Sequence, residues 1–169
     1  MFREMHRNKQ ILSLSECAAI LEQGTSGVLA LLGDEGYPYA VPLSYVYDGQ
    51  NIYFHSAKAG HKLDAIRTYP KASFCVIDQD RIVPQEYTTY FRSVIAFGTV
   101  HILEDEAEKR KAIQALALKY APEDSAENRD TVIDREWVPL CMLELSIKHL
   151  SGKEAIELAR EKRREIPQE

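Results

Sequence analysis

From Tyr87 to Leu103 the chain reads YTTYFRSVIAFGTVHIL, a run of aromatic and β-branched residues longer than a typical strand. Such side chains pack well on a pleated surface, so the run predicts one long bent strand or two consecutive strands, with Gly98 as the natural place for a bend. A fold containing it is organised around a sheet. Strand alternation puts Phe91, Ser93, Ile95 and Phe97 on one face and leaves Arg92 beside Tyr90 and Val94 on the other.

The remaining segments supply neighbours for that strand. Gly27 to Leu32 is a short apolar run, and Gly33-Asp34-Glu35-Gly36 carries the residues of a reversing turn. Tyr39 to Tyr47 alternates loosely, Asp48-Gly49 makes a hairpin turn, and Asn51 to Phe54 returns. Ala72 to Asp78 and Cys141 to His149 are the other predicted strands. Helices fall between them. The first opens at the Ser13/Glu16 capping box and stops at Gly24; the second runs from about Gly60 to Thr68, before Pro70. A third covers Glu106 to Tyr120, where Ile113, Leu116, Ala117 and Tyr120 recur at i, i+3, i+4 and i+7. Glu123 to Arg135 has no period and reads as a surface loop. Ser151-Gly152-Lys153-Glu154 reads as another capping box, opening a last charged helix.

A chain of 169 residues with this pattern suits a single domain, mainly β in an α+β arrangement. Its strands suggest a closed antiparallel barrel with helices packed outside, an α+β sandwich being the alternative. Tyr39, Tyr45, Tyr47, Tyr53, Tyr87, Tyr90 and Phe91 fall on both strand faces. One barrel interior cannot hold them all, so a second buried surface is expected, and a homodimer interface would provide it.

The net charge of −5 argues against general nucleic-acid binding, which draws on clustered Lys and Arg. Any bound phosphate then needs a local site. The charged stretch Met1 to Gln10 lacks the apolar region of a signal peptide, and no later run approaches a membrane span, so cytoplasm is the expected compartment. The three cysteines, Cys17, Cys75 and Cys141, sit in apolar patterns and read as reduced thiols. No metal site is expected, because no third ligand of suitable spacing accompanies His55 and His61. There is no G-x-G-x-x-G after a strand, so a nicotinamide would have to bind transiently.

Four stretches carry candidate chemistry. In Tyr53-Phe54-His55-Ser56-Ala57-Lys58-Ala59-Gly60-His61-Lys62 a strand feeds a helix whose first turn holds His61 and Lys62. Free amides there, the Ser56 hydroxyl and the Lys62 charge suit a phosphate monoester, with Lys58 as a second charge; the plain alternative is a solvated helix start. In Pro38 to Tyr45, Pro42 removes a ladder hydrogen bond and either leaves backbone groups facing a ligand or marks an ordinary edge strand. Arg92, in an apolar strand, needs a partner: a phosphate, a carboxylate across a subunit interface, or an internal salt bridge. Lys153 stands at the last capping box, where it either helps bind an anion or is simply a capped helix's surface lysine.

Taken in order, PYAVPLSYVYD, IYFHSAKAGHKLDAI, YTTYFRSVIAFG and LSGKEA resemble the pyridoxamine-phosphate-oxidase-like flavoproteins, most closely the nitroimidazole-reductase (Nim) branch. The resemblance implies an antiparallel six-stranded split β-barrel with peripheral helices, forming a homodimer with FMN in two equivalent interface clefts. By position it lays Val41, Pro42, Leu43 and Ser44 along the isoalloxazine edge and gathers His55, Ser56, His61 and Lys62 around the ribityl phosphate and ring. Arg92, Ser93 and Lys153 follow as further cofactor contacts, although Phe91 stands where the branch often has tyrosine. The implied chemistry is electron transfer from NAD(P)H through FMN to a small electron-poor acceptor such as a nitroimidazole, with His55 as proton donor or as a purely structural group. The basic C-terminal substrate motif of the pyridoxamine phosphate oxidases proper is missing. A haem-binding split barrel with a histidine axial ligand and a non-catalytic flavin-binding redox module are the alternatives.

Overall fold

A computed structural model describes residues 2–165. The elements, in chain order, are α1 (Leu14–Gln23), β1 (Ser26–Leu32), β2 (Pro38–Ser44), β3 (Val46–Tyr47), β4 (Asn51–Ala57), α2 (His61–Thr68), β5 (Lys71–Val83), β6 (Thr88–Ile102), α3 (Glu106–Tyr120), α4 (Ala126–Glu136), β7 (Leu140–Glu154) and α5 (Ile156–Glu165). The strands form one antiparallel seven-stranded sheet in the order β2-β1-β5-β6-β7-β4-β3.

The topology itself demonstrates the curl of this sheet. β2 and β3 occupy opposite edges, yet only Tyr45 separates them in the chain, so the sheet has to roll until its edges nearly meet. No ladder joins those edges: this is a split barrel, and the closed ladder is not formed. Tyr45 also explains why there are seven strands instead of six. Its ring turns wholly into the core, against Phe74 at 4.9 Å, and its N–H leaves the sheet to donate to the Tyr120 hydroxyl at 3.0 Å.

The interior is filled by the inward face of each strand, among them Leu29, Phe54, Phe74, Val94, Leu143 and Leu145, with Leu21 of α1 and Leu63 of α2 closing the ends. Burying each large side chain contributes roughly 1.5–3 kcal/mol. Cys17 and Cys141 are buried, Cys75 is half-buried, and all three thiols are free.

β6 is a single strand bent at Gly98, where the register with β7 shifts. A Cβ at Gly98 would stand 2.2 Å from the Ser146 carbonyl oxygen, so the approach of β7 requires glycine there. β5 is longer than its apolar run and pairs with β6 as far as Val83 opposite Thr88. β1 accompanies β5 only at Ser73–Cys75, and β7 accompanies β6 only from Arg92 onward, so the hairpin projects as a two-stranded arm. At its tip Tyr87 is 99% exposed with φ of +51°.

Two expectations fail. Residues 123–135 are largely α4, not a loop. Only Ile133 of that helix is buried, which leaves no apolar period to detect; Ser125 caps it, and Arg110 of α3 binds Asp134 and lies 3.8 Å from Asp130. Nor does Ser151 open a helix. β7 continues through Glu154, because Gly152 packs so closely on Cys17 and Leu12 that a Cβ would stand 2.4 Å from the Cys17 sulfur, and the Glu154 side chain is taken by cations instead of capping. Among the described residues no helix is long and apolar enough to cross a membrane.

Candidate functional site

The end of β4 divides the candidate residues between two faces. Ile52 and Phe54 point into the barrel core; Ser56 continues that face and pairs with Cys141, itself a core residue. Tyr53 and His55 point the other way, toward Met142 and the cluster beneath α3. Alternation therefore sends His55 and Ser56, adjacent in sequence, to opposite sides of the sheet.

On the Ser56 side the chain passes through Lys58 and Ala59 to Gly60, whose φ of +122° suits glycine, and enters α2. No side chain caps this helix start. Lys62, in its first turn, is half-buried; burial lowers its ammonium below the usual 10.5, partly offset by the neighbouring Cys141. Burial pushes the Cys141 thiol up, while Arg67, Lys109, Lys62 and Lys58 pull the other way, which places both Lys58 and Lys62 within its field. Neither lysine has a carboxylate partner among the described residues.

His61 is engaged elsewhere. Its ring stacks on Tyr39 at 4.1 Å, and Nε2 lies 3.6 Å from an Asp34 carboxylate oxygen, which ties α2 to the β1–β2 turn. β2 pairs only with β1 and leaves a free edge. Val41 and Leu43 face the core, whereas Pro42 and Ser44 face out, and an edge strand tolerates the missing N–H of Pro42.

On the His55 side lies a cavity of about 560 Å³. Ser44, His55 and Ser56 line one part of it, while Ile113, Ala117 and Tyr120 of α3 and Val132, Ile133 and Glu136 of α4 form the opposite wall. The α3 contributors belong to the predicted amphipathic stripe, which a sequence reader assigns to core. Those of α4 had no signal beyond the Ser125 cap. The end of α3 is firmly held: the Tyr120 hydroxyl also donates to the Thr25 carbonyl, and the Lys119 ammonium donates to the Gly24 carbonyl at 2.5 Å while lying 4.3 Å over the Tyr45 ring.

Arg92, Ser93 and Lys153 are not brought to this place. Ser56 pairs near the start of β7 and Ser93 with Lys153 near its end, about 40 Å apart along the strand at roughly 3.3 Å per residue. Arg92 points inward to Glu154 at 3.2 Å and Asp78 at 3.3 Å, the internal salt bridge among its possible partners. Ser93 and Lys153 stand side by side on the opposite face, with the Lys153 ammonium 5.5 Å over the Phe91 ring.

Comparison with known proteins places this arrangement. No curated protein matches the chain. Among solved structures, a conserved hypothetical protein of Mycobacterium tuberculosis superposes with TM-score 0.78 at 19% identity, covering 98% of this chain and 96% of that one. A candidate 5-nitroimidazole antibiotic resistance protein of Bacteroides thetaiotaomicron gives 0.71 at 20%, covering 85% and 86%. An FAD- and heme-binding protein of Mycobacterium smegmatis gives 0.70 at 23%, covering 87% and 73%. These likenesses establish a shared split-barrel fold. The sequence profile of the pyridoxamine 5'-phosphate oxidase family matches residues 13–154, most of the chain, and this protein belongs to that family.

Proposed function

We propose that the protein is a flavin-dependent oxidoreductase that carries FMN in two equivalent clefts of a homodimer and passes electrons from NAD(P)H to a small electron-poor acceptor. The observation that carries this is the pair of lysines, Lys58 and Lys62, beside an uncapped helix start. A half-buried ammonium without a carboxylate is costly unless an anion joins it, and a phosphate at a helix N-terminus meets both charge and free amides. The residues therefore fit a phosphate monoester. Similarity to proteins whose names mention nitroimidazole resistance and FAD binding supports the same reading.

Bound flavin supplies reversible two-electron redox chemistry at its ring. The chain's own groups do the rest. Lys62, Lys58 and Ser56 hold the phosphate, His61 braces α2 against the β1–β2 turn, and the free edge at Val41, Pro42, Leu43 and Ser44 offers backbone groups to the ring. His55, exposed at the cavity, is placed to donate a proton to an acceptor bound there. Arg92 is left out, because its charge is already matched.

The partner protomer would bring its Ser93 and Lys153 face to this cleft. Exposed Ile77, Ile82 and Tyr87 along the β5–β6 arm support such an interface, because large apolar side chains held out in solvent on one projecting hairpin are what a partner covers. The test is titration of the purified protein with FMN, FAD, riboflavin and haem, with sedimentation of the loaded form. We expect FMN to bind well above riboflavin, to a dimer. Failure to bind any flavin, or a flavin-loaded monomer, overturns the proposal.

A further inference from the structure

We infer that the cavity between β4 and the α3–α4 helices receives the electron acceptor, and that it admits apolar ring compounds that are neutral or cationic while rejecting anions. The identification of its occupant as the acceptor rests on the flavin reading above.

Size and lining set the class. A volume of about 560 Å³ lies within the range of small-molecule sites, roughly 300–1,000 Å³. Ile113, Ala117, Val132 and Ile133 make an apolar wall, and the polar side chains opposite it are the Ser44 hydroxyl and the His55 imidazole. Among the described residues, Glu136 is the one Asp, Glu, Lys or Arg in the lining.

The cations nearby are committed elsewhere. Lys109 lies 4.0 Å over the Trp137 ring and Arg110 4.7 Å over it, Arg110 also holding Asp134. Arg135 pairs with Glu136 at 3.1 Å, but both side chains are largely solvated and Arg135 does not line the cavity. Lys58, in the turn after β4, and Lys62, in α2, do not line the cavity. A carboxylate or phosphate entering here would lose hydration and meet no lysine or arginine, with the His55 imidazole as its one available partner and Glu136 adding repulsion. A phosphorylated substrate is therefore disfavoured here, although the lysines beside α2 suit a cofactor phosphate. Ala117 contributes only a methyl group to the wall, so a larger side chain there would reach into the cavity.

Three nitro compounds of one shape test this: 4-nitrobenzyl alcohol, 4-nitrobenzyltrimethylammonium and 4-nitrobenzoate, titrated calorimetrically into flavin-loaded and flavin-free protein. The alcohol and the ammonium should bind, with the benzoate about fivefold weaker than the alcohol, the scale of one solvent-screened charge. Glu136→Lys should reverse the order of the two ions. Ala117→Phe, or Val132→Phe should the first variant unfold, should weaken the alcohol at least about tenfold and leave FMN affinity within about twofold. Equal binding of the three probes, or indifference to both cavity-filling variants, overturns the inference. So does a parallel loss of FMN in those variants, which would make the cavity the ring's own pocket. If the protein takes no flavin at all, the proposed function falls, while the flavin-free titrations still decide the charge selection.

Discussion

The two ends of β7 hold the same kinds of charged side chain and use them in opposite ways. Near its end, Arg92 and Lys162 meet Asp78, Glu16 and Glu154, and the Glu154 carboxylate, only 4% exposed, accepts from both cations at 3.2 and 2.9 Å. Near its start, Lys58 and Lys62 lie within the field of Cys141 and make no ion pair with a carboxylate among the described residues. The first cluster is complete and ties α1, β5, β6, β7 and α5 together. The second is cationic on balance among the described residues. Where a fold desolvates a charge without matching it, the missing partner is a candidate ligand; where it matches the charge, the group is scaffold.

The largest expected effect breaks the complete cluster. Glu154→Gln removes the one buried anion and leaves the Arg92 guanidinium with Asp78 alone and the Lys162 ammonium with the half-exposed Glu16 alone, so unfolding free energy should fall by about 3 kcal/mol in urea, with an unchanged slope. FMN affinity of the folded protein should stay the same. A variant of normal stability that had lost FMN would put Arg92 back among the ligands and dissolve the contrast.

Removing Lys62 should do the reverse. A charge-assisted hydrogen bond contributes roughly 1.5–3 kcal/mol, so Lys62→Ala should weaken FMN about ten- to a hundredfold while barely touching riboflavin or stability. Equal loss of both ligands would mean that Lys62 supports the ring or the fold. The pH dependence sharpens this. In the flavin-free protein burial favours the neutral amine, so between its lowered value and 10.5 the unfolded chain holds more protons, and stability rises with pH through that window. Phosphate favours the ammonium, so FMN affinity should fall with rising pH through the same window. In Lys62→Met that fall should flatten. An FMN affinity that holds constant there would remove Lys62 from the phosphate.

Much of the architecture was legible in the sequence because local chemistry and tertiary structure agree. The Ser13/Glu16 box, the Gly98 bend and the Asp48-Gly49 turn each stand where expected. Failures come where a distant partner decides. Ser151 and Glu154 have capping-box spacing, but Gly152 must fit against Cys17, and Glu154 has cations to meet. α4 buries one side chain and is fixed to α3 by ion pairs that no window of its own residues reveals. The site shows the same division. The lysines beside α2 are readable from spacing, whereas the cavity over His55 depends on α4 and could not be read. The separation of Arg92, Ser93 and Lys153 from Lys62 follows from the length of β7, which the capping box at its end disguised.

The smallest effect tests whether the complete cluster is one unit or a buried pair with a solvated fringe. Glu16 accepts from Lys162 at 2.5 Å and from the Ser13 hydroxyl and amide, and the Lys162 hydrogen bond above all lowers its carboxyl from 4.5 to about 2, against a smaller opposing push from burial. A carboxyl lowered by folding contributes stability that is fully present above its unfolded value and disappears as pH falls from 4.5 toward 2. Its side chain is 40% exposed and that of Lys162 37%, so solvent screens the pair and the contribution should stay under about 1 kcal/mol. Glu16→Gln should therefore cost up to about that much near neutral pH and progressively less as the wild-type carboxyl protonates, and added salt should shrink it further. Glu154→Gln should remain costly across the same salt range, because water does not reach that carboxylate. A Glu16→Gln cost near that of Glu154→Gln, insensitive to salt, would show that charges at the rim of the cluster are coupled to its buried centre, and the completed cluster would then act as a single element from α1 to α5.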